Sequence, residues 1–392
     1  MPYYIGGLAE FRERGIDART GHEVETIDLD SRTVAVREGR TGRSSHESFD
    51  HLVIATGAEP VRPDVPGVDA GGIHEMSSMR DMLAVEAFLA RHECNRAVVV
   101  GGGYIGLEMA EAFLLRGIDV ALIHSRPAIM PNLDEDMGLL VNDALVDAGV
   151  QLITGQPATG FEQQDGQVTA VLTDDAAIPA DIVVVGIGTR PRSDLASAYG
   201  IPTGPTGGII VDERMRTSVE GVWAAGDCTE MHDLMSGEPV SFALGTIANK
   251  QGRICGINLA GGNARFPGVL GTAITRFQDT EISRTGLSEG QLQEQGTDYV
   301  AGRIGSSARS GYYPGSSKIT VKVTASRQTG KLLGAQIVGG PGSGKRIDTI
   351  ATALAAGLSV ADLEYLDLSY APPFSPVWDP VQIAARIAGQ RL

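Results

Sequence analysis

The chain has 392 residues, 42% of them hydrophobic and 20% charged, which excludes a disordered protein and allows two or three domains with ordinary cores. A formal net charge of -16 disfavours nucleic acids and anionic membrane surfaces as partners. No apolar run approaches the length of a membrane span, and the N-terminus does not look like a signal peptide, so we predict a soluble cytoplasmic protein.

The first predicted elements are strands. Residues Glu23–Ile27 and Thr33–Arg37 alternate in polarity on either side of a turn, which predicts a hairpin. Leu52–Ala55 is a short apolar strand that leads into Thr56-Gly57. Prolines then interrupt regular structure until a helix that we predict over roughly 79–91.

A glycine-rich turn is the most informative motif of the chain. Val98–Val100 predict a buried parallel strand, and Gly101, Gly103 and Gly106 form a G-x-G-x-x-G turn before a helix predicted over Leu107–Arg116. These glycines allow a tight turn, close approach of the backbone to a pyrophosphate, and packing of helix on strand. Because a second strand follows over 119–124, we predict a dinucleotide site rather than a purely structural turn.

The end of that second strand bears on the choice of coenzyme. NAD sites usually place Asp or Glu there to accept from the ribose 2′-hydroxyl. This chain has His124, followed by Ser125 and Arg126, so an arginine rather than a carboxylate is available to a 2′-phosphate. The pattern favours NADPH over NADH. The alternative is that Arg126 is a solvated loop residue with no role in coenzyme binding. Gly106 also argues against NADPH, because NADP sites often carry alanine at that position.

Residues 134–262 continue the α/β pattern. The predicted elements are a helix over 134–148, a strand over 151–154, a hairpin that ends near Thr173, a strand over 182–185 with the loop 186–191, a strand that ends in Gly226-Asp227, and a helix over 242–259. Cys94, Cys228 and Cys255 have no paired spacing, so we expect small buried residues rather than disulfides. The scattered histidines predict no metal site.

The order of elements changes after Asn263, where strands precede helices, and this predicts a separate α+β domain. The strands are expected near 271–276, 299–304, 318–323 and 333–338, and the helices near 346–356 and 360–366. The run Gly339–Lys345 is similar to a phosphate-binding P-loop. However, Arg346 replaces the Ser or Thr that would hold magnesium, and Pro341 removes an N–H donor, so we predict a glycine-rich turn.

In combination these segments resemble the pyridine nucleotide-disulfide oxidoreductases, a superfamily of flavoproteins with two dinucleotide-binding domains. The strand ending in Ala55-Thr56-Gly57 precedes the glycine turn, and Val222–Asp227 follows it. In that family the aspartate of the Gly-Asp turn contacts FAD, and the next helix points its N-terminus at the flavin. The resemblance implies these roles for Asp227 and for Leu244–Thr246, and thus FAD beside NAD(P)H.

Both ends of the chain are similar to the coenzyme A-disulfide reductase and NAD(P)H oxidase branch. Residues Tyr370–Pro380 look like its Tyr-Ala-Pro-Pro signature, which in the family crosses to the partner subunit of a homodimer. The resemblance implies a catalytic role for Tyr370 near the flavin and a redox cysteine; a proline-rich turn is the alternative. Tyr104, Ile105 and Glu108 match positions that cover the flavin and hold the nicotinamide amide.

The candidate site residues form two sets, and no metal ligand is among them. For FAD they are Ala55, Thr56, Gly57, Gly226, Asp227, Leu244, Gly245, Thr246 and Phe374. For NAD(P)H they are Gly101, Gly103, Tyr104, Ile105, Gly106, Glu108, His124, Arg126 and Gly188.

The N-terminus departs from the family pattern. The chain opens Met1-Pro2-Tyr3-Tyr4, a match to the residues just after the family's redox cysteine. That cysteine and the first FAD-binding βαβ unit are therefore expected upstream of Met1. Trp378 stands where some coenzyme A-disulfide reductases carry a lysine that touches coenzyme A, which weakens the expectation of that substrate.

The sequence therefore predicts an α/β protein with two Rossmann-like dinucleotide-binding domains, the first incomplete and split, and a C-terminal α+β dimerisation domain. The expected boundaries are 1–75 with 193–262 for FAD, 76–192 for NAD(P)H, and 263–392 for dimerisation. The expected activity is FAD-dependent oxidation of NAD(P)H by a small disulfide, a persulfide or oxygen. A catalytically impaired dimeric fragment that binds NAD(P)H is the alternative.

Overall fold

A computed structural model of the chain describes residues 7–392, so the expectations about Met1–Tyr4 fall outside the described residues. The chain divides into two compact units. Unit 1 contains residues up to Gly57 together with Pro191–Met231 and Pro239–Phe266. Unit 2 contains Ala58–Arg190, His232–Glu238 and Pro267–Leu392. Among the described residues, no helix has both the length and the apolarity that a membrane crossing requires.

Helices and strands occur along the whole of the described chain. The helices are α1 (Leu8–Glu13), α2 (Met79–Leu89), α3 (Tyr104–Leu115), α4 (Glu135–Asp147), α5 (Asp194–Ala198), α6 (Gly245–Leu259), α7 (Glu289–Glu294), α8 (Ile347–Ala355), α9 (Val360–Glu364) and α10 (Pro380–Gly389). The strands are β1 (His22–Asp28), β2 (Thr33–Glu38), β3 (Ser44–Ser48), β4 (Leu52–Ile54), β5 (Ala58–Pro60), β6 (Ile73–Glu75), β7 (Arg96–Val100), β8 (Asp119–His124), β9 (Gln151–Thr154), β10 (Gly160–Gln164), β11 (Gln167–Leu172), β12 (Ala177–Pro179), β13 (Ile182–Val185), β14 (Thr189–Pro191), β15 (Ile209–Ile210), β16 (Val222–Ala224), β17 (Thr229–His232), β18 (Pro239–Val240), β19 (Ala273–Phe277), β20 (Thr280–Gly286), β21 (Tyr299–Ser307), β22 (Lys318–Ser326) and β23 (Leu332–Gly339).

Unit 2 contains a parallel sheet in the order β6-β13-β7-β8-β9. Its strands are apolar because both faces are covered, and Val98 and Val99 are completely buried. The chain leaves β7 for β8 on one side, while β13 returns on the other side. The strand order therefore reverses at the carboxyl ends of β7 and β13, the place where sheets of this type bind ligands.

The predicted strands β7, β8, β9 and β13 are confirmed, whereas the edge strand β6 was not predicted and the predicted start of α3 is wrong. The helix begins at Tyr104 instead of Leu107, so Gly106 lies within its first turn. Only glycine fits at this position, because a Cβ atom on residue 106 would be 1.9 Å from the carbonyl oxygen of Gly101. The third glycine of the motif is thus a point of contact between helix and turn.

The C-terminal part of unit 2 contains an antiparallel sheet in the order β19-β20-β23-β22-β21, which confirms the predicted change to an α+β pattern. Helices α8 and α10 pack against it through an apolar cluster that includes Val323, Ile350 and Ala384. The sequence analysis did not identify β20 or α10. Helix α10 begins in a capping box, in which Asp379 accepts from the N–H of Val381 at 3.0 Å.

A buried polar cluster links α4 to this antiparallel sheet. The ammonium of Lys322 lies 2.9 Å from Asp134 Oδ2 and 2.8 Å from Asp136 Oδ1, and it also pairs with Glu289. Burial works against the charge of Lys322, but these three carboxylates outweigh it and raise the pKa of the lysine. The three carboxylates face one another as metal ligands would, yet the cation between them is the protein's own.

Unit 1 contains the predicted hairpin, which is confirmed. Strands β1 and β2 pair antiparallel, with Ile27 opposite Val34, and β3 extends the sheet. Strands β4 and β16 form a parallel pair in which Ile54 lies opposite Ala224. These side chains share one apolar core, and the two parallel strands both end at turns that the sequence assigned to FAD.

Candidate functional site

The glycine turn of unit 2 has the conformation that a dinucleotide cradle requires. Gly101 has φ +111°, and a Cβ atom there would be 2.3 Å from the carbonyl oxygen of Gly186. By contrast, a Cβ atom on Gly103 would meet nothing within 4 Å, so the backbone faces open space at this position. Helix α3 begins directly after Gly103 and has no side-chain cap. Its first N–H groups are therefore available to a phosphate.

Gly102 is held on both sides by residues that follow β7 in the chain. Its N–H donates to Nδ1 of His124 at 3.3 Å, and its carbonyl accepts from the N–H of Met130 at 2.6 Å. No sequence pattern pointed to Met130, a buried residue in the left-handed region at φ +57°. This strained residue allows the loop to fold back over the turn.

His124 lies under the turn rather than in solvent, because it is only 8% exposed. Since Nδ1 accepts the Gly102 hydrogen bond, the ring is neutral and carries its proton on Nε2, which is buried without a partner. Burial lowers the pKa of His124, and the nearby charge of Arg126 lowers it further. His124 thus lies beneath the glycine turn, and its place among the coenzyme residues stays a prediction.

The other predicted coenzyme residues surround this turn. Ser125 and Arg126 are exposed directly after β8, and Arg126 forms no ion pair with a described residue. Gly188 has φ +121° in the loop after β13, where its carbonyl accepts from Val61. The turn, His124 and Gly188 thus meet at the carboxyl edge of one sheet.

The start of α3 also faces the antiparallel sheet of unit 2. Oε1 of Glu108 accepts from Thr275 Oγ1 at 3.4 Å, while Ile105 is half-buried on the preceding turn. Burial raises the pKa of Tyr104, and the charge of Arg284 opposes this rise. Arg284 is itself 5% exposed and its guanidinium donates to the carbonyl of Gly286. The sequence analysis missed this buried cation because it lies in a strand of polar appearance.

A cleft of about 400 Å³ in unit 1 is lined by four of the nine predicted FAD residues, Ala55, Gly57, Gly226 and Asp227. Its walls are Val53, Ala55, Gly57, Ala225, Gly226, Asp227, Ala248, Gly252, Cys255, Gly256 and Leu259. Oδ1 of Asp227 is buried without a partner, and burial raises the pKa of this carboxyl group. An unsatisfied acceptor of this kind fits a ligand that carries hydroxyl donors, as the ribityl chain of FAD does.

The backbone on both sides of Asp227 is fixed. Gly226 has φ +86°, and its N–H donates to Oε1 of Gln251 at 2.7 Å. Gln251 is completely buried on α6 and was missed by the sequence analysis, because its position in a polar helix carries no signal. Thr56 Oγ1 donates to the carbonyl of Arg192 at 2.5 Å, which fixes the chain after Ala55.

The N-terminus of α6 is the second feature that fits a flavin. Leu244 is its N-cap, with no side-chain cap, and Gly245 and Thr246 form its first turn. Free N–H groups and the helix dipole favour negative charge at this end. The unpartnered Asp227 and the uncapped helix are together compatible with FAD.

Tyr370 and Phe374 belong to unit 2 and are 48% and 76% exposed. Two of the three cysteines match the prediction of small buried residues, whereas Cys94 is only partly buried. Cys228 and Cys255 are buried, and burial raises the pKa of Cys94 and of Cys255. A nucleophile needs a lowered pKa, so we assign that role to none of the three.

The loop that is similar to a P-loop is filled by a side chain of the protein. Glu281 accepts from the N–H of Gly342 at 3.0 Å and from the N–H of Gly344 at 2.6 Å. Its carboxylate thus takes the position that a phosphate has in a nucleotide-binding loop. This geometry agrees with the predicted glycine-rich turn.

Two family models cover nearly the whole chain. Residues 7–252 match "Pyridine nucleotide-disulphide oxidoreductase", and residues 272–380 match the dimerisation domain of the same name. An "NAD(P)H coenzyme A polysulfide/persulfide reductase" from Pyrococcus horikoshii is 38% identical over 99% of this chain and 88% of its own length.

Two solved structures are similar over the whole fold. An NAD-dependent persulfide reductase from A. fulgidus has a TM-score of 0.93 and is 37% identical, over 98% of this chain and 71% of its own. An engineered water-forming NADPH oxidase bound to NADPH, a five-substitution mutant of the Lactobacillus brevis NADH oxidase, has a TM-score of 0.93 and 26% identity. The match with the engineered oxidase spans 99% of this chain and 86% of the oxidase chain. The predicted fold class is confirmed by these likenesses.

Proposed function

The chain belongs to the pyridine nucleotide-disulphide oxidoreductase family, and we propose that it transfers hydride equivalents from NADPH through FAD to a persulfide or polysulfide. The observation that carries the proposal is the presence in one chain of two open sites. One is the turn Gly101–Gly106, which leads from β7 into the uncapped helix α3, as in dinucleotide-binding folds. The other is the turn Gly226-Asp227 after β16, where Oδ1 of Asp227 is buried without a partner and suits a ligand with hydroxyl donors.

The residues of unit 2 bind and orient NADPH in this proposal. The N–H groups at the start of α3 neutralise the pyrophosphate, and Gly103 leaves room for it. Tyr104, Ile105 and Glu108 would cover the flavin and hold the nicotinamide amide, as the family resemblance implies. Arg284 contributes a buried positive charge near Tyr104.

The residues of unit 1 hold FAD, which when bound accepts a hydride equivalent and passes electrons to the acceptor. Asp227 accepts from the ribityl chain, and Gln251 keeps Gly226 in the conformation that this contact needs. The N-terminus of α6, from Leu244 to Thr246, stabilises negative charge. Tyr370 and Phe374 complete the site in the dimer that the dimerisation domain forms.

Selectivity for NADPH has support from the engineered oxidase. Its substitutions begin with glycine to alanine and continue eighteen positions later with aspartate to alanine, alanine to arginine and methionine to serine. In this chain His124, Ser125 and Arg126 follow Gly106 at the same eighteen-residue interval. A carboxylate is thus absent here, and serine and arginine are present, although in the reverse order. This composition suits a 2′-phosphate.

A sulfur acceptor is supported by the names of the similar reductases. Trp378, whose indole stacks on the guanidinium of Arg386 at 4.1 Å, stands where some coenzyme A-disulfide reductases carry a lysine, and this disfavours coenzyme A disulfide as the acceptor. Oxygen is the second candidate, because the engineered relative is a water-forming oxidase. We further propose that the protein acts in the cytoplasm, and that the predicted domain boundaries apply.

The acceptor is tested by measuring NADPH consumption of the flavin-loaded protein with four acceptors. These are polysulfide, a low-molecular-weight persulfide, coenzyme A disulfide and oxygen. We expect the highest kcat/KM for polysulfide or persulfide under anaerobic conditions. A rate with oxygen alone that equals the rate with either sulfur compound would favour the oxidase, and a preference for coenzyme A disulfide would overturn the inference from Trp378.

A further inference from the structure

Residues 370–379 form an irregular segment between α9 and α10 that we call the aromatic segment. It contains neither helix nor strand, and it exposes Tyr370, Phe374 and Trp378. Trp378 stacks on Arg386, whereas large apolar side chains such as Tyr370 and Phe374 that are exposed on irregular backbone have little packing to order them. Their position has to be set by polar contacts of the backbone and of the few buried side chains.

Arg346 makes the central contacts of this kind. Its Nη2 donates to the carbonyl of Phe374 at 2.8 Å and to the carbonyl of Ala308 at 2.7 Å, while Nε pairs with Asp379 Oδ2 at 2.9 Å. The side chains of Arg346 and Asp379 are 13% and 12% exposed. A planar guanidinium that is largely buried and bonded to three separate groups fixes their relative positions.

Ser310 supplies a second anchor from the loop after β21. Its N–H donates to the carbonyl of Pro372 at 3.2 Å, and its hydroxyl donates to the carbonyl of Ser375 at 3.3 Å. Ser375 in turn donates to Asp379 Oδ2 at 3.0 Å. The segment is therefore held by a connected network in which every member except the backbone groups is buried or nearly so.

Arg346 is itself positioned by the glycine loop that Glu281 fills. Its guanidinium also donates to the carbonyl of Gly342, the residue whose N–H bonds to Glu281. Gly344, two residues before Arg346, donates to the other oxygen of the same carboxylate. The carboxylate thus fixes the backbone from which Arg346 extends, although Glu281 forms no hydrogen bond with the aromatic segment.

We infer that Arg346 is a positioning residue for the aromatic segment, and that the loop Gly339–Gly344, filled by Glu281, serves as its support. The loop resembles a nucleotide-binding loop in sequence, but its N–H groups bind the carboxylate of Glu281. Its role in this inference is to keep Tyr370 and Phe374 ordered. The inference rests on the proposed function only for the catalytic role of Tyr370. The order of the segment is measured independently of any redox activity.

Trp378 provides the reporter for the test, because the chain has only two tryptophans. In a Trp223→Phe background we expect Arg346→Met to raise acrylamide quenching of Trp378 about twofold. Deuterium uptake of the peptide that covers 370–379 should accelerate in the same variant. Arg346→Lys should restore part of the protection, because an ammonium replaces only some of the bonds. The control is Lys345→Met, because the Lys345 side chain is 76% exposed and its one ion pair among residues 7–392 is with Asp348.

Glu281→Gln separates positioning from general loss of structure. The amide keeps one acceptor for the loop and loses the other, so we expect quenching between that of the parent and that of Arg346→Met. In the flavin-loaded Arg346→Met and Glu281→Gln variants we expect kcat to fall. The KM for NADPH should change less than about twofold, because neither substitution touches the glycine turn 101–106. The inference is overturned if quenching and deuterium uptake in folded Arg346→Met and Glu281→Gln equal those of the parent. Unchanged kcat with a disordered segment would instead refute the proposed role of Tyr370.

Discussion

Nδ1 of His124 accepts a hydrogen bond from the backbone N–H of Gly102, the second residue of the coenzyme turn. The position that commonly presents a carboxylate to the ribose thus holds a neutral imidazole under the pyrophosphate loop. In the proposed coenzyme site, this residue stands in place of an acidic group and also supports the turn, so the protonation of His124 should affect coenzyme binding.

The first prediction concerns pH. Burial lowers the pKa of folded His124 below the ordinary value of 6.5, so the unfolded chain binds more protons between the two values. The contribution of neutral His124 to the free energy of unfolding is therefore complete above pH 6.5. It decreases as the pH falls from 6.5 towards the folded pKa, by at most about 1.4 kcal/mol per pH unit. His124→Asn keeps an acceptor that does not titrate and should flatten the acid limb of NADPH affinity.

His74 provides the control for this experiment, because burial also lowers its pKa but it lies on the edge strand β6. His74→Asn should change only the pH dependence of unfolding, and His124→Asn should also change that of NADPH binding. Both are measured by chemical unfolding and by fluorescence titration of the coenzyme. Identical NADPH profiles for wild type and His124→Asn would contradict the role of the imidazole.

The second prediction separates folding from binding in the glycine turn. Gly103 has φ -92° and open space at its Cβ position, so Gly103→Ala should fold normally and lose about tenfold or more in affinity for both coenzymes. Gly101→Ala places a Cβ atom against the carbonyl of Gly186 at positive φ, so it should also lower the free energy of unfolding. Full coenzyme affinity in Gly103→Ala would exclude the turn as the pyrophosphate site.

The third prediction concerns coenzyme selectivity. Arg126→Glu replaces a cation near the proposed 2′-phosphate with an anion, so kcat/KM for NADPH should fall by about a hundredfold while that for NADH changes little. The control is Arg80→Glu, an exposed arginine on α2 with the same change of charge. Equal losses for both coenzymes would show that Arg126 does not contact a 2′-phosphate.

The fourth prediction concerns the buried lysine. Lys322→Met removes the cation from buried Asp134 and from Glu289, whereas the more exposed Asp136 keeps its ion pair with Arg303, so we expect a cost at or below the about 3–5 kcal/mol of a broken buried pair. Urea unfolding should therefore show a lower free energy of unfolding, whereas exposed Lys318→Met should leave it unchanged. If Lys322→Met is as stable as the parent, the cluster does not tie α4 to the antiparallel sheet.

The fifth prediction concerns Tyr370. Tyr370→Phe removes only the hydroxyl, so bound flavin and NADPH affinity should be unchanged while turnover falls about tenfold or more. Tyr365→Phe, another exposed tyrosine of unit 2, is the matched control. Wild-type turnover in Tyr370→Phe would remove this residue from the active site.

The parallel strands were predictable because they are buried on both faces and consist of apolar β-branched residues. Strands β8, β9 and β13 have the predicted bounds. Strand β20 was missed because Thr280–Gly286 is polar in sequence, although most of it is buried. Its burial depends on pairing with β23 and on partners far along the chain, and local pattern contains no such information.

The same limit applies to the candidate sites. Glycine turns are local, so the sequence alone predicted Gly101–Gly106 and Gly226-Asp227. The contacts that fix these turns are not local: His124, Met130 and Gln251 are separated in sequence from the glycine to which each is bonded. The orientation of His124 also could not be predicted, because a residue at the end of a strand can face solvent or the core.

The central claim, that this chain oxidises NADPH through bound FAD, is tested most directly by anaerobic titration of the flavin-loaded protein with NADPH. We predict that the visible absorbance of oxidised flavin disappears in proportion to the NADPH added, and that NADH produces the same change only at higher concentration. Flavin that stays oxidised in excess NADPH and excess NADH would contradict the claim.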